Sequence, residues 1–99
     1  MRLTVEEADA IRRAARRAFG ETAVVRLFGS RADATRRGGD IDLHVEVDDD
    51  AADTWRAKSD FERYLFAMIE EQKVDVVTHR TGSEARAIDV IAHQRGIVL

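Results

Sequence analysis

Asp40 and Asp42 stand one residue apart at the head of DIDLHVEV, residues 40–47, where polar and apolar residues alternate. A strand has a side-chain period of two, so both carboxylates fall on one side, with Cα atoms roughly 7 Å apart at ~3.3 Å rise per residue. Two acids at that spacing reach one or two hard cations. Mg²⁺ takes oxygen ligands and keeps positions open for substrate phosphates. A pair of such ions ~3.5–4 Å apart clamps the attacking and leaving oxygens of an in-line displacement at phosphorus. Gly29-Ser30 closes the apolar run AVVRLF just upstream. A glycine lets backbone approach a phosphate with no Cβ in the way. Ser30 offers a hydroxyl and, as the start of a short helix, backbone N–H groups aimed at an anion. Arg31 follows directly, and Arg36 and Arg37 lie further along the same loop. All three are candidates for phosphate contact, or equally for solvated loop charge.

A third carboxylate completes such a site, and Asp75 is the candidate. It sits between Val74 and Val76 in KVDVVTHR, residues 73–80. The valines predict a central strand beside the one bearing Asp40, where an unpaired charge is costly. As a third ligand Asp75 shares a metal with Asp40 and Asp42, and as a general base it deprotonates an attacking hydroxyl. The set therefore reads as a nucleoside triphosphate site: glycine and serine for the terminal phosphates, aspartates for the metal. The alternatives are a solvated polar strand face for Asp40 and Asp42, an ordinary turn for Gly29-Ser30, and an arginine ion pair for Asp75.

Other polar residues carry less. His44 shares the aspartate face and is expected partly buried; His79 and His93 have no ligand spacing to each other. Asp48, Asp49 and Asp50 read as a solvated turn, since an EF-hand requires Asp or Asn where His44 stands. Neither lysine, Lys58 nor Lys73, follows a glycine-rich loop, so no Walker A pattern is present. Arg12, Arg13, Arg16 and Arg17 form a basic face on a helix, read as solvated.

The elements that must position these residues alternate along the chain. Thr4 and Glu7 make a capping box ahead of a helix with Val5, Ala8, Ile11, Ala15 and Phe19 on one stripe, ended by Gly20. Residues 23–28 form a buried strand, residues 40–47 a half-buried one. A helix is expected over residues 54–72, with Trp55, Phe61, Leu65, Met68 and Ile69 as its apolar side. Residues 73–80 form the next strand, Ser83 caps a last helix, Gly96 stops it, and residues 97–99 form a terminal strand. This order gives an α/β (α+β) domain, a small mixed sheet flanked by helices.

The chain has 99 residues, 44% of them hydrophobic and 35% charged, which suits one globular domain over residues 1–99. It has no cysteine, which excludes disulfides and thiolate chemistry. No apolar run approaches the length of a membrane span. The first residues lack a signal-peptide core, which makes the cytoplasm the expected location. A net charge of −3 argues against nucleic-acid binding through bulk charge.

Gly29-Ser30, nine residues, then Asp40-Ile41-Asp42 inside strand–loop–strand resembles the signature of the polymerase-β-type nucleotidyltransferases. Size and chain order are similar to their smallest members, the minimal nucleotidyltransferases, over most of the chain. Two features depart from the common pattern: Gly39 stands where a serine often precedes the first aspartate, and the spacer is short. The resemblance implies a polymerase-β-like fold and Mg²⁺ on Asp40, Asp42 and Asp75. It implies triphosphate held by Gly29 and Ser30, with ATP as nucleotide. It also implies a partner. Such proteins are commonly paired with a helical HEPN-type RNase toxin in a hetero-oligomer and act as its antitoxin, in several systems by adenylylating it (AMPylation). The alternative is a non-catalytic subunit that binds nucleotide or partner and neutralises the toxin by contact.

Overall fold

The computed structural model describes residues 2–33, 39–48 and 54–99. Arg36, Arg37, Asp49 and Asp50 lie outside these, and the loop and turn roles assigned to them lie outside the described residues too.

Helix α1 (Val5–Phe19) starts as its sequence dictates. Thr4 Oγ1 accepts from the Glu7 N–H at 3.0 Å and Glu7 returns the bond to the Thr4 N–H, the reciprocal cap that satisfies two orphan donors. Gly20 ends it at φ +111°. Ala8, Ile11, Ala15 and Phe19 are buried as one stripe, while Val5 stays exposed in the first turn. Strand β1 (Val24–Phe28) runs into a 3-10 turn (Gly29–Ala32), and β2 (Ile41–Val47) returns antiparallel to it. Helix α2 (Trp55–Leu65) and strand β3 (Val74–Arg80) follow, then α3 (Ala87–Arg95) and the two-residue β4 (Ile97–Val98).

The four strands form one mixed sheet in the order β3-β2-β1-β4, with β2 and β3 parallel and the other pairs antiparallel. Ile41, Leu43, Val45 and Val47 project from one face of β2 into a core shared with Ile11, Ala14, Phe19, Phe61 and Leu65 of α1 and α2. Phe19 and Phe61 meet with ring centroids 5.7 Å apart. Removing Phe61 from such a core costs about 3–5 kcal/mol. The opposite face of β2 carries Asp42, His44 and Glu46, and α3 packs over the last two of these.

Three expectations change. α2 stops at Leu65, not Gln72: the Met68 and Ile69 N–H groups both bond to the Leu65 carbonyl, at 2.9 and 3.0 Å, and the chain turns. Seven more helical residues carry the chain about 10 Å further along the axis, whereas Val74 must return to pair with Ile41. Trp55 is 81% exposed, not core. The buried positions of α2 are Ala57, Phe61 and Leu65, and Trp55 lies two residues, some 200°, off that stripe. Ser83 does not cap the last helix; α3 begins after Arg86, and Ser83 Oγ donates to the Arg80 carbonyl at 2.6 Å. No helix among the described residues is long and apolar enough to cross a membrane.

Candidate functional site

The parallel register of β2 and β3 sets Asp42 directly beside Asp75. Neighbouring strands lie about 4.8 Å apart, so the two carboxylates leave the same face side by side. Asp40 immediately precedes β2, and its carboxylate meets the Lys73 ammonium at 3.3 Å. Lys73 in turn precedes β3, where its carbonyl accepts from the Ile41 N–H. Three acids and one lysine thus meet where two parallel strands begin.

β3 is an edge strand, not a central one, and Asp75 is exposed rather than enclosed by its valines. Val74 is buried in the core, and Val76 packs against it while partly exposed. The requirement for a neutralising partner arises instead from like charge. Partial burial and then the charges of Asp75 and Asp40 push the Asp42 carboxyl above its ordinary value, and Lys73 offsets only part of this. Lys73 itself is raised, first by its hydrogen bond to Asp40.

The Gly-Ser turn closes the site from the β1 side. Gly29 has φ +74°, and a Cβ there collides with the Asp42 carboxylate. The backbone of the turn therefore lies directly against the acid, a cradle open only to glycine. Gly39, at φ +90°, sits the same way against the Ser30 hydroxyl. Ser30 does not open a helix capable of binding an anion. It is the second residue of a four-residue 3-10 turn with no side-chain cap. Arg31 serves the backbone: its Nε donates to the Gly39 carbonyl at 3.2 Å and its NH1 to the Arg2 carbonyl at 2.8 Å. It ties the head of the loop to its tail.

Asp40, Asp42, Asp75, Gly29 and Ser30 are thus brought together, and Arg31 braces them. Sequence reasoning passed over Lys73, although the period of two that places Asp75 on this face places Lys73 there as well. It also passed over Asp89. His44 is wholly buried, not partly, because Asp89 on α3 comes down onto it at 2.7 Å.

No protein-family model, no curated protein and no solved structure matches the chain.

Proposed function

We propose that this protein is a Mg²⁺-dependent nucleotidyltransferase that moves AMP from ATP to a hydroxyl group on a partner protein. The observation that carries the reading is the in-register pair Asp42 and Asp75, with the Gly29 backbone seated against Asp42. Clustered acids with only one lysine among them fit a hard cation, and the raised Asp42 carboxyl registers the charge that such an ion relieves. Asp40, Asp42 and Asp75 would hold Mg²⁺, which when bound supplies neutralisation of the phosphate charge.

The chain's own residues have three tasks in this reading. Gly29 presents backbone without a Cβ, so that a triphosphate approaches beside Asp42. Asp75, the most exposed flank of the pair, takes the proton of the acceptor hydroxyl. That oxygen forms its bond to the α-phosphorus as the bond from phosphorus to the bridging oxygen breaks, and pyrophosphate leaves with the electron pair. Positioning and electrostatics supply the acceleration. The acceptor side rests on the family resemblance, which points to a HEPN-type toxin and an antitoxin role.

A second reading, a binding subunit without catalysis, is favoured by one contact. Lys73 already engages Asp40, so the chain supplies a cation of its own. One experiment separates the two. The protein is incubated with ATP, Mg²⁺ and the product of its neighbouring reading frame, which is then weighed by mass spectrometry. The catalytic reading expects the mass of one adenylyl group, AMP less water, to be added, and Asp42→Asn to reduce the rate about 10²–10³-fold, the scale for loss of a preorganised electrostatic group. No added mass, together with no uptake of ATP or Mg²⁺ on titration, sinks it. Protection by Asp42→Asn without AMP transfer supports the binding subunit.

A further inference from the structure

The half of the polar sheet face under α3 holds a second cluster that the nucleotide site does not use. His44 is fully buried on β2, and its Nε2 meets Asp89 Oδ1 at 2.7 Å. Asp89 is in turn held by Arg86, through the backbone N–H at 2.7 Å and Nε at 3.0 Å. Facing a carboxylate, Nε2 is the donor of this pair, and Nδ1 is turned to the other side of the ring. Nδ1 is buried with no hydrogen-bond partner among the described residues. An orphaned buried nitrogen requires an explanation, because burying it unpaired is costly. Two residues along the same face, Glu46 Oε1 lies 2.9 Å from His93 Nε2 on α3. One ligand atom from each of His44, Glu46 and His93 falls within 4.8 Å of the other two.

We propose that His44, Glu46 and His93 bind a borderline divalent transition metal of the zinc type, at a site separate from the acidic one. The donor set is the argument. Two imidazoles and a carboxylate suit Zn²⁺ and its neighbours, whereas Mg²⁺ takes oxygen. A metal-binding histidine characteristically donates its second ring N–H to a carboxylate, which fixes the tautomer and orientation. Asp89 stands in that relation to His44. His79 stands similarly to Glu46, with Nδ1 at 2.9 Å from Oε1. Zinc bonds of about 2.0–2.2 Å require tighter convergence than 4.8 Å. The adjustable member is His93, half exposed near the end of α3, whose contact with Glu46 the metal replaces. A cavity of ≈ 300 Å³ bordered by His79, Asp89 and Val90 adjoins His93, giving that side chain room to move. Arg26 faces His44 across the β1–β2 pair. Its positive charge opposes the ion, Glu46 favours it, and Arg86 already offsets Asp89.

This inference stands apart from the nucleotidyltransferase reading, since no ligand is shared. Chelator-stripped full-length protein is titrated with Zn²⁺ by calorimetry and with Co²⁺ by visible absorption. The expected result is one equivalent of Zn²⁺ at micromolar affinity or tighter, with intense Co²⁺ bands of low coordination number. His93→Ala and Glu46→Gln, checked for folding by circular dichroism, are each expected to weaken binding by more than about 10-fold, the lower end of the loss seen when merely a supporting group of a ligand is removed. Asp42→Asn is expected to leave it unchanged. Three outcomes overturn the proposal: no uptake, uptake that survives His93→Ala unaltered, or uptake lost with Asp42→Asn, which assigns the ion to the acidic end.

Discussion

Asp42 and Glu46 sit four residues apart on the same face of one strand, and their surroundings push them in opposite directions. At the Asp42 end the Gly29 backbone lies against the carboxylate, which stays only partly buried. Partial burial and the charges of Asp75 and Asp40 raise that carboxyl, and Lys73 offsets part of this. At the Glu46 end burial also works against the charge, but hydrogen bonds from His93 and His79 outweigh it and hold the carboxyl below its ordinary value. Asp89 goes further, held well below the carboxylate range by Arg86 first and by His44 as well. The strand pattern is identical at both ends. The difference is helix α3, which brings His93, Asp89 and Arg86 to one end and leaves the other open. A closed end satisfies its charges internally, and an open end leaves them to be neutralised from outside, as a ligand site requires.

The largest effect expected on stability tests that contrast directly. Asp89→Ala removes the buried carboxylate that His44 and Arg86 share; the enclosed His44 ring loses its partner, while Arg86 keeps its bond to the Thr78 carbonyl. Breaking a buried pair in this way costs about 3–5 kcal/mol. Asp75→Ala removes an exposed anion from a crowd of like charges, and is expected to stay within about 0.5 kcal/mol of wild type or to stabilise. Urea denaturation of both variants decides the matter. Equal losses mean that the two ends are not electrostatically different.

Glycine supplies the next test. Gly29 and Gly82 both hold positive φ, at +74° and +88°. Gly29 has the Asp42 carboxylate where a Cβ belongs, while Gly82, in the turn leading to α3, has nothing within 4 Å. Gly82→Ala meets only the backbone term, about 1–2 kcal/mol. Gly29→Ala meets that term and displaces Asp42, so it should cost more stability and also reduce ATP and Mg²⁺ binding. Thermal melts with and without Mg²⁺ measure both effects. A Gly29→Ala protein that melts like Gly82→Ala and binds Mg²⁺ normally removes the cradle from the argument.

The open end was legible in the sequence, whereas the closed end was not. Asp40 and Asp42 announce themselves through a period of two and a glycine-serine turn a few residues away, all local signals. Placing Asp75 needed only one further step, that a valine-rich segment pairs with the aspartate strand. It lies on an edge rather than in the centre because β1, not β3, takes the inner position beside β2. The histidine end depends on contacts between residues 33 to 47 positions apart, such as His79 with Glu46, His44 with Asp89 and Glu46 with His93. No spacing rule sees His79 and His93 as related, because Glu46 on a third element joins them. Helix ends are legible where the cap is a local side-chain motif, as at Thr4. They were misread where the stop is tertiary, as at Leu65, or where the cap is an arginine, as at Arg86.

The smallest effect expected concerns pH at the open end. A carboxyl whose value is raised on folding binds its proton more tightly in the native state. Its contribution is therefore favourable below the ordinary aspartate value of 3.8 and is lost as pH rises through the higher native value. Asp42→Asn mimics the protonated form at every pH. In EDTA, wild type and Asp42→Asn should match near the acid end of that window, and the variant should be the more stable at neutral pH. Asp42 is only partly buried, and solvent screening keeps the difference under about 1 kcal/mol. Millimolar Mg²⁺ should stabilise wild type and leave the variant where it was, reversing their order. Lys73→Ala, which strips the local cation, should widen the gap in EDTA and deepen the response to Mg²⁺. Denaturation across pH reads all four conditions. If wild type is the more stable protein at neutral pH without metal, the acids at this end are already at peace with one another, and the case for an external cation loses its electrostatic basis.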